Sequence, residues 1–203
     1  LLIALLVLPL IATLLIAVLP SKSVPLYAIE GIHVVSIVAV LVLSVYLVVQ
    51  VFVSGQPITA AANWFRLDAL SSVFVALIGI IGALVGIFSL PYIEHDVEAG
   101  HMDAPKVKTY YAFFSLFLFT MLLASCSNNI IMMWICIEAT TLSTVFLVGA
   151  YQTKLALEAA WKYVIVCTAG VAFGLYGTLL IYANAVSVLA DSTQAAFWTS
   201  ILP

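Results

Sequence analysis

Six apolar runs, at about residues 1–19, 27–53, 68–92, 109–126, 129–150 and 156–184, are each long enough to cross a hydrocarbon layer roughly 30 Å thick. None shows the period-two alternation or the frequent turns of a transmembrane barrel, so the spans are helical. Hydrophobic residues make up 66% of the chain and charged residues 7%, where soluble domains carry about 25% charged. The expected fold class is therefore all-α, a polytopic bundle of about six transmembrane helices forming one domain over residues 1–203. With six basic residues and a net charge of -3, no patch suits a nucleic-acid backbone, and nucleic acid is excluded as a partner.

The first run, LLIALLVLPLIATLLIAVLP, has neither a charged leader nor a small-residue cleavage site. It reads as a retained span instead of a signal peptide. Pro9 should bend that helix without ending it, because neighbours in a bundle can satisfy the freed carbonyl. The missing initiator Met and the stop at Pro203 suggest a piece of a longer protein.

Short polar connections join the runs, and the charged stretch EHDVEAGHMDAPKVK is expected to link helices 3 and 4 as a loop. Lys22, Lys106, Lys108 and Lys154 fall on odd-numbered connections and Arg66 on an even one. The positive-inside rule then makes the odd connections cytoplasmic and the N-terminus extracytoplasmic. Trp64, Phe65 and Arg66 have the character of an interfacial anchor, and Asp68 that of a helix cap.

One carboxylate interrupts the fifth run, NIIMMWICIEATTLSTVFLVG. Counted from Asn129, Glu138 lies about 13 to 14 Å deep, near the bilayer centre. A charge there costs about 2.5 to 3.5 kcal/mol on insertion scales, so the residue must face protein or a wet cavity. Burial favours the neutral acid, which lets such a group take up and release protons near neutral pH. A structural carboxyl bonded to a neighbouring helix is the competing reading. Thr140, Thr141, Ser143 and Thr144 beside it are either packing residues or hydroxyls that hold water.

Lys162 should lie about two turns inside helix 6, with Glu158 four residues before it in the favourable order for a helical ion pair. It either snorkels to the interface or tunes the field at an acid, and the two readings stand level. Glu30 and His33 fall near the start of helix 2, where an interfacial position without function is favoured over the mouth of a path. His95, Asp96, Glu98, His101 and Asp103 are too loosely spaced to make a strong metal motif. Cys126, Cys136 and Cys167 read as small apolar fillers, and no phosphate loop, nucleophile elbow or haem motif is present.

FRLDALSSVFVALIGIIG, then NNIIMMWICIEATTLSTVFLVG, then ALEAAWKYVIVCTAGVAFGLYGTLLIYA resemble the N-terminal part of the proton-conducting, antiporter-like membrane subunits. That family includes the L, M and N subunits of complex I, Mrp-type antiporter subunits and membrane-bound hydrogenase subunits, and the likeness is closest to the hydrogenase-4 component F type. The pairing of W(x)3E with ALEAA(x)KY carries the resemblance. It implies a proton-translocating, non-catalytic subunit of a respiratory or hydrogenase-type complex in a prokaryotic inner membrane. Implied partners are other membrane subunits, a peripheral redox arm, the lipid bilayer and protons, with no cofactor of its own. Glu138 matches the family's helix 5 glutamate, whose lysine partner on helix 7 has no counterpart here. Lys162 matches the lysine of the helix 6 segment, with Lys162 and Glu158 as electrostatic modulators and Thr141 and Ser143 as water-holding hydroxyls. A sodium/proton antiporter subunit of the Mrp type shares every local motif, and a purely structural membrane scaffold is a third reading.

Overall fold

The structure is a computed structural model that describes residues 1–20, 25–189 and 192–201. Six main helices follow in order: α1 (Leu2–Val18), α2 (Leu26–Ser54), α3 (Ala69–Glu98), α4 (Ala104–Cys126), α5 (Ile130–Val148) and α6 (Lys154–Leu189). A short hairpin of β1 (Ile58–Ala60) and β2 (Phe65–Leu67) lies between α2 and α3. A 3-10 turn (Gln194–Ala196) and the four-residue α7 (Trp198–Ile201) follow α6. Five helices, α2 to α6, are long and apolar enough to cross a bilayer. The apolar α1 has 17 residues, about 26 Å, at the lower limit for crossing. The chain is a multi-pass membrane protein.

Pro9 lies inside α1 without ending it, and Pro91 lies inside α3. The latter corrects one expectation. The stretch taken for a loop between helices 3 and 4 is mostly helix, with α3 running to Glu98 and α4 starting at Ala104. The cause is packing, since buried Ile93 and half-buried Val97, four residues apart, face a cluster with Met102, Val107 and Tyr111. Glu94, His95 and Glu98 point outward. The chain then reverses over five residues, using Gly100 at φ 74°, a backbone conformation that a side chain would strain. Lys106 and Lys108 therefore lie in the first turns of α4, and Lys154 opens α6; Lys22 lies outside the described residues.

Helices α1 to α4 form one packed group in which α2 lies against α3 and α1 against α4. Its largest cluster joins Leu2, Leu5 and Leu6 to Val40, Leu47, Val75 and Leu122. The α2 and α3 backbones approach closely at Gly79, where an added Cβ would fall 2.9 Å from the Ser44 Cβ. Such small-residue contacts pack helices where lipid supplies no hydrophobic drive. Helix α5 lies against α4, with Phe113 and Phe146 stacked at 4.4 Å, and α6 lies against α5.

Each end of the bundle is tied differently. At the lysine-bearing end, the Lys108 ammonium donates to the Leu19 carbonyl at 2.5 Å, placing a cation on the C-terminus of α1. At the opposite end Asn128 donates to the Asn63 carbonyl (2.9 Å) and the Thr199 hydroxyl (3.1 Å), fastening the hairpin to α7. The Trp198 amide donates to the Asn128 carbonyl. Asp68, Asp103 and Asn129 cap α3, α4 and α5 through their side-chain oxygens.

Candidate functional site

Glu138 lies eight residues into α5, about 12 Å along the helix from Ile130, and it is half-buried against α6. Helices α5 and α6 run antiparallel because the connection between them is only five residues, 149–153. Three polar ties cross the pair. The Trp134 indole donates to the Val171 carbonyl at 2.9 Å, and the Thr168 hydroxyl donates to Glu138 Oε1 at 3.3 Å. Nearer the turn, Thr144 interacts with the Tyr163 phenol. Past that rung the chain passes Ala160 at Gly149, where an added Cβ would make ordinary contact with the Ala160 Cβ at 3.8 Å.

The second oxygen of Glu138, Oε2, is buried with no hydrogen-bond partner among the described residues. A buried carboxylate oxygen without a donor is costly. Protonation, a water or a positive group from further protein would relieve it, so the arrangement is half of a site: one oxygen held, one open.

Sequence reasoning missed Thr168. Turn length alone does not locate it: Glu138 lies ten residues before the end of α5 and Thr168 fourteen residues past the start of α6, so the two helices are offset by about one turn.

The other expected residues are not gathered around the acid. Lys162 donates to Glu158 Oε1 at 2.6 Å, an i,i+4 pair with side chains 73% and 59% exposed. Lys162 is also six residues, about 9 Å along α6, from the threonine that holds Glu138. Thr141 is half-buried and donates to the Ile137 carbonyl at 3.3 Å; Ser143 is buried and donates to the Ala139 carbonyl at 2.8 Å. Each hydroxyl proton is thus committed to its own helix, which leaves lone pairs as the only free hydrogen-bonding capacity.

Two further polar groups depart from their sequence reading. His33, expected at the interface, is fully buried where α2, α3 and α4 meet, because it packs on Tyr111 and Phe114 of α4 and reaches the Gly86 carbonyl of α3. Asp96 and His101, expected in a solvated loop, meet at 3.5 Å where α3 ends. Asp96 Oδ2 also accepts from the Tyr151 hydroxyl at 2.5 Å, and the Tyr92 hydroxyl lies 2.8 Å from that of Tyr151. Since Tyr151 gives its single proton to the carboxylate, Tyr92 is the donor to Tyr151. Burial, and then the Asp96 bond, push the Tyr151 phenol above its ordinary range. These side chains latch the end of α3 to the turn between α5 and α6.

Comparison with known proteins agrees with this architecture. Residues 61–100 match the family described as the N-terminus of chain 5 of NADH-ubiquinone oxidoreductase (complex I). Residues 127–197, which hold Glu138, Thr168 and Lys162, match the transmembrane family of NADH:quinone oxidoreductase and Mrp antiporters. A hydrogenase-4 component F homolog from Methylacidiphilum infernorum (isolate V4) is 42% identical over 139 residues, 68% of this chain and 29% of the relative. NADH-quinone oxidoreductase subunit L of Rhodobacter capsulatus is 31% identical over 99 residues, 48% of this chain and 14% of the relative. Among solved structures, a chain of the membrane-bound sulfane sulfur reductase, an archaeal respiratory membrane complex, superposes with a TM-score of 0.74. It is 21% identical, and the match covers 90% of this chain and 37% of that one. This chain spans less than a third of each of these two curated relatives. It belongs to the antiporter-like membrane subunits of complex I-type and hydrogenase-type complexes, and it matches the N-terminal portion of that family.

Proposed function

We propose that the chain is the N-terminal part of a proton-translocating subunit in a respiratory or hydrogenase-type redox complex of a prokaryotic inner membrane. Residues 1–203 form one transmembrane domain of it, with the lysine-bearing end in the cytoplasm. Glu138 is the group that takes up and gives back the proton. The observation that carries this reading is the state of its carboxyl: mid-span, held on Oε1 by Thr168, and open on Oε2. Lys162 and Glu158 modulate it from a distance, since a pair this exposed contributes a weak, screened field. Thr141 and Ser143 offer lone pairs to water near the acid. Further membrane subunits and a peripheral redox arm complete the assembly.

The test is Glu138→Gln in the full-length subunit within its complex, with proton movement followed in energised vesicles. Glutamine keeps the shape and the Thr168 contact but cannot exchange a proton. Loss of proton movement with normal assembly supports the reading; unchanged movement makes the residue structural. Sodium dependence of the wild-type transport, in place of proton movement coupled to electron transfer, would favour an Mrp-type antiporter subunit instead.

A further inference from the structure

A second buried ionisable side chain lies in the other half of the molecule. His33 on α2 is 0% exposed and packs between the rings of Tyr111, 4.6 Å away, and Phe114, 5.1 Å away, both on α4. Its Nε2 lies 3.3 Å from the Gly86 carbonyl on α3. A carbonyl only accepts, so Nε2 carries the hydrogen and the neutral ring presents a bare lone pair at Nδ1. That Nδ1 is buried without a partner among the described residues, and the nearby Tyr111 hydroxyl is too.

The site is shaped to admit the ring. At Gly86 a Cβ would fall 3.1 Å from Nε2 and 2.7 Å from Ile37 Cδ1, so a bare backbone there allows the imidazole to reach the carbonyl. Ser89 donates to the same carbonyl at 2.7 Å. Glu30, one turn before His33, lies within electrostatic reach of Tyr111 and of Glu94 on α3. The titratable groups near His33 are thus Tyr111, on which it packs, and the Tyr110, Glu30 and Glu94 side chains that reach Tyr111; α1 has no titratable side chain. Two carboxylates at the lysine-bearing end and a basic nitrogen deeper in the same bundle form a graded pair of proton holders.

We propose that His33 is a second protonatable site of this membrane domain, separate from Glu138, and that its Nδ1 takes up a proton delivered from the Glu30 and Glu94 end. In the transfer the Glu30 carboxyl gives up its proton through water and the Nδ1 lone pair receives it. A carboxylate and an imidazolium replace a neutral pair, and their attraction offsets part of the cost of burying the charge.

Hydrogen exchange at the imidazole C2 position, read by mass spectrometry on the His33 peptide of the full-length subunit in its native membrane, tests this. Exchange at C2 proceeds by hydroxide removing the C2 hydrogen of the imidazolium, so a ring that never takes a proton does not exchange. The expected curve for His33 rises with pH to a plateau. Glu30→Gln, with assembly unchanged, is expected to slow His33 exchange about tenfold at the plateau, the scale of losing one nearby opposite charge. A flat, negligible His33 rate from pH 5 to pH 9 would overturn the proposal and leave a packing histidine. An unchanged rate in Glu30→Gln would overturn the route. If that variant fails to assemble, the wild-type curve alone decides whether His33 takes a proton.

Discussion

The α1–α4 group and the α5–α6 hairpin are both built from strongly apolar helices, yet they are finished differently. In the most apolar 18-residue stretch of α4, 44% of the residues are buried within the described chain; in that of α6, none are. The first region closes its helices on one another, down to the Ser44–Gly79 contact. The second presents Trp161, Ile165, Val166 and Phe173 outward and keeps its polar ties on the seam between its helices. Hydropathy alone cannot separate these roles, because lipid, a further helix and a packed core all accept the same residues. The small residues and the placement of polar atoms separate them.

A pair of glycine substitutions probes this contrast most strongly. Gly79→Ala should cost about 1 to 3 kcal/mol, since its Cβ would meet Ser44 Cβ at 2.9 Å and the helices must part. Gly170→Ala on α6, where nothing lies within 4 Å, should be neutral or stabilising by up to about 1 kcal/mol. Unfolding of the two variants in mixed micelles would show the difference, and equal costs would break the distinction between a closed and an open half.

A smaller effect is expected at the seam itself. Thr168→Val removes the one donor to Glu138 among the described residues and should slow proton movement about fivefold, the scale of one hydrogen bond, while leaving stability nearly unchanged. Transport equal to wild type would mean that the threonine is only packing.

The latch between the two regions offers a pH test. A phenol held above its ordinary range in the folded state contributes stability that is complete below the unfolded value. That stability is lost as pH rises through the folded value. Amide exchange in residues 99–103 should therefore accelerate as pH is raised past about 10, the ordinary phenol value. Tyr151→Phe should show about fivefold faster exchange already at pH 7, and no such alkaline step from this residue.

The smallest effect belongs to Lys162→Met. An exposed i,i+4 pair contributes about 0.3 to 0.5 kcal/mol, and the field it projects to Glu138 is screened. Thermal unfolding should shift little, and proton movement should fall by less than in Glu138→Gln. A Lys162→Met variant as inactive as Glu138→Gln would give the lysine a direct role.

Much of this could be read from sequence, and the failures have physical causes. Run length alone located the six helices, and Glu138 stood out because a mid-span acid is costly. The end of α3 was misplaced because Pro91 and the following charges look like a terminus. Ile93 and Val97 keep the helix going by packing. The β-hairpin was not foreseen, since Ala61 and Ala62 are helix formers; here they hold φ 51° in a turn fastened by Asn128. His33 was read as interfacial because its burial depends on the gap opposite Gly86 and on the α4 rings that cover it. Its sequence neighbours reveal neither.

Infrared difference spectroscopy of the full-length subunit tests the central claim, that Glu138 takes up and releases a proton, most directly. A protonated-carboxyl C=O band that changes when the complex is energised, shifts in D2O and is absent from Glu138→Gln is the predicted result. Identical difference spectra for wild type and Glu138→Gln would contradict it.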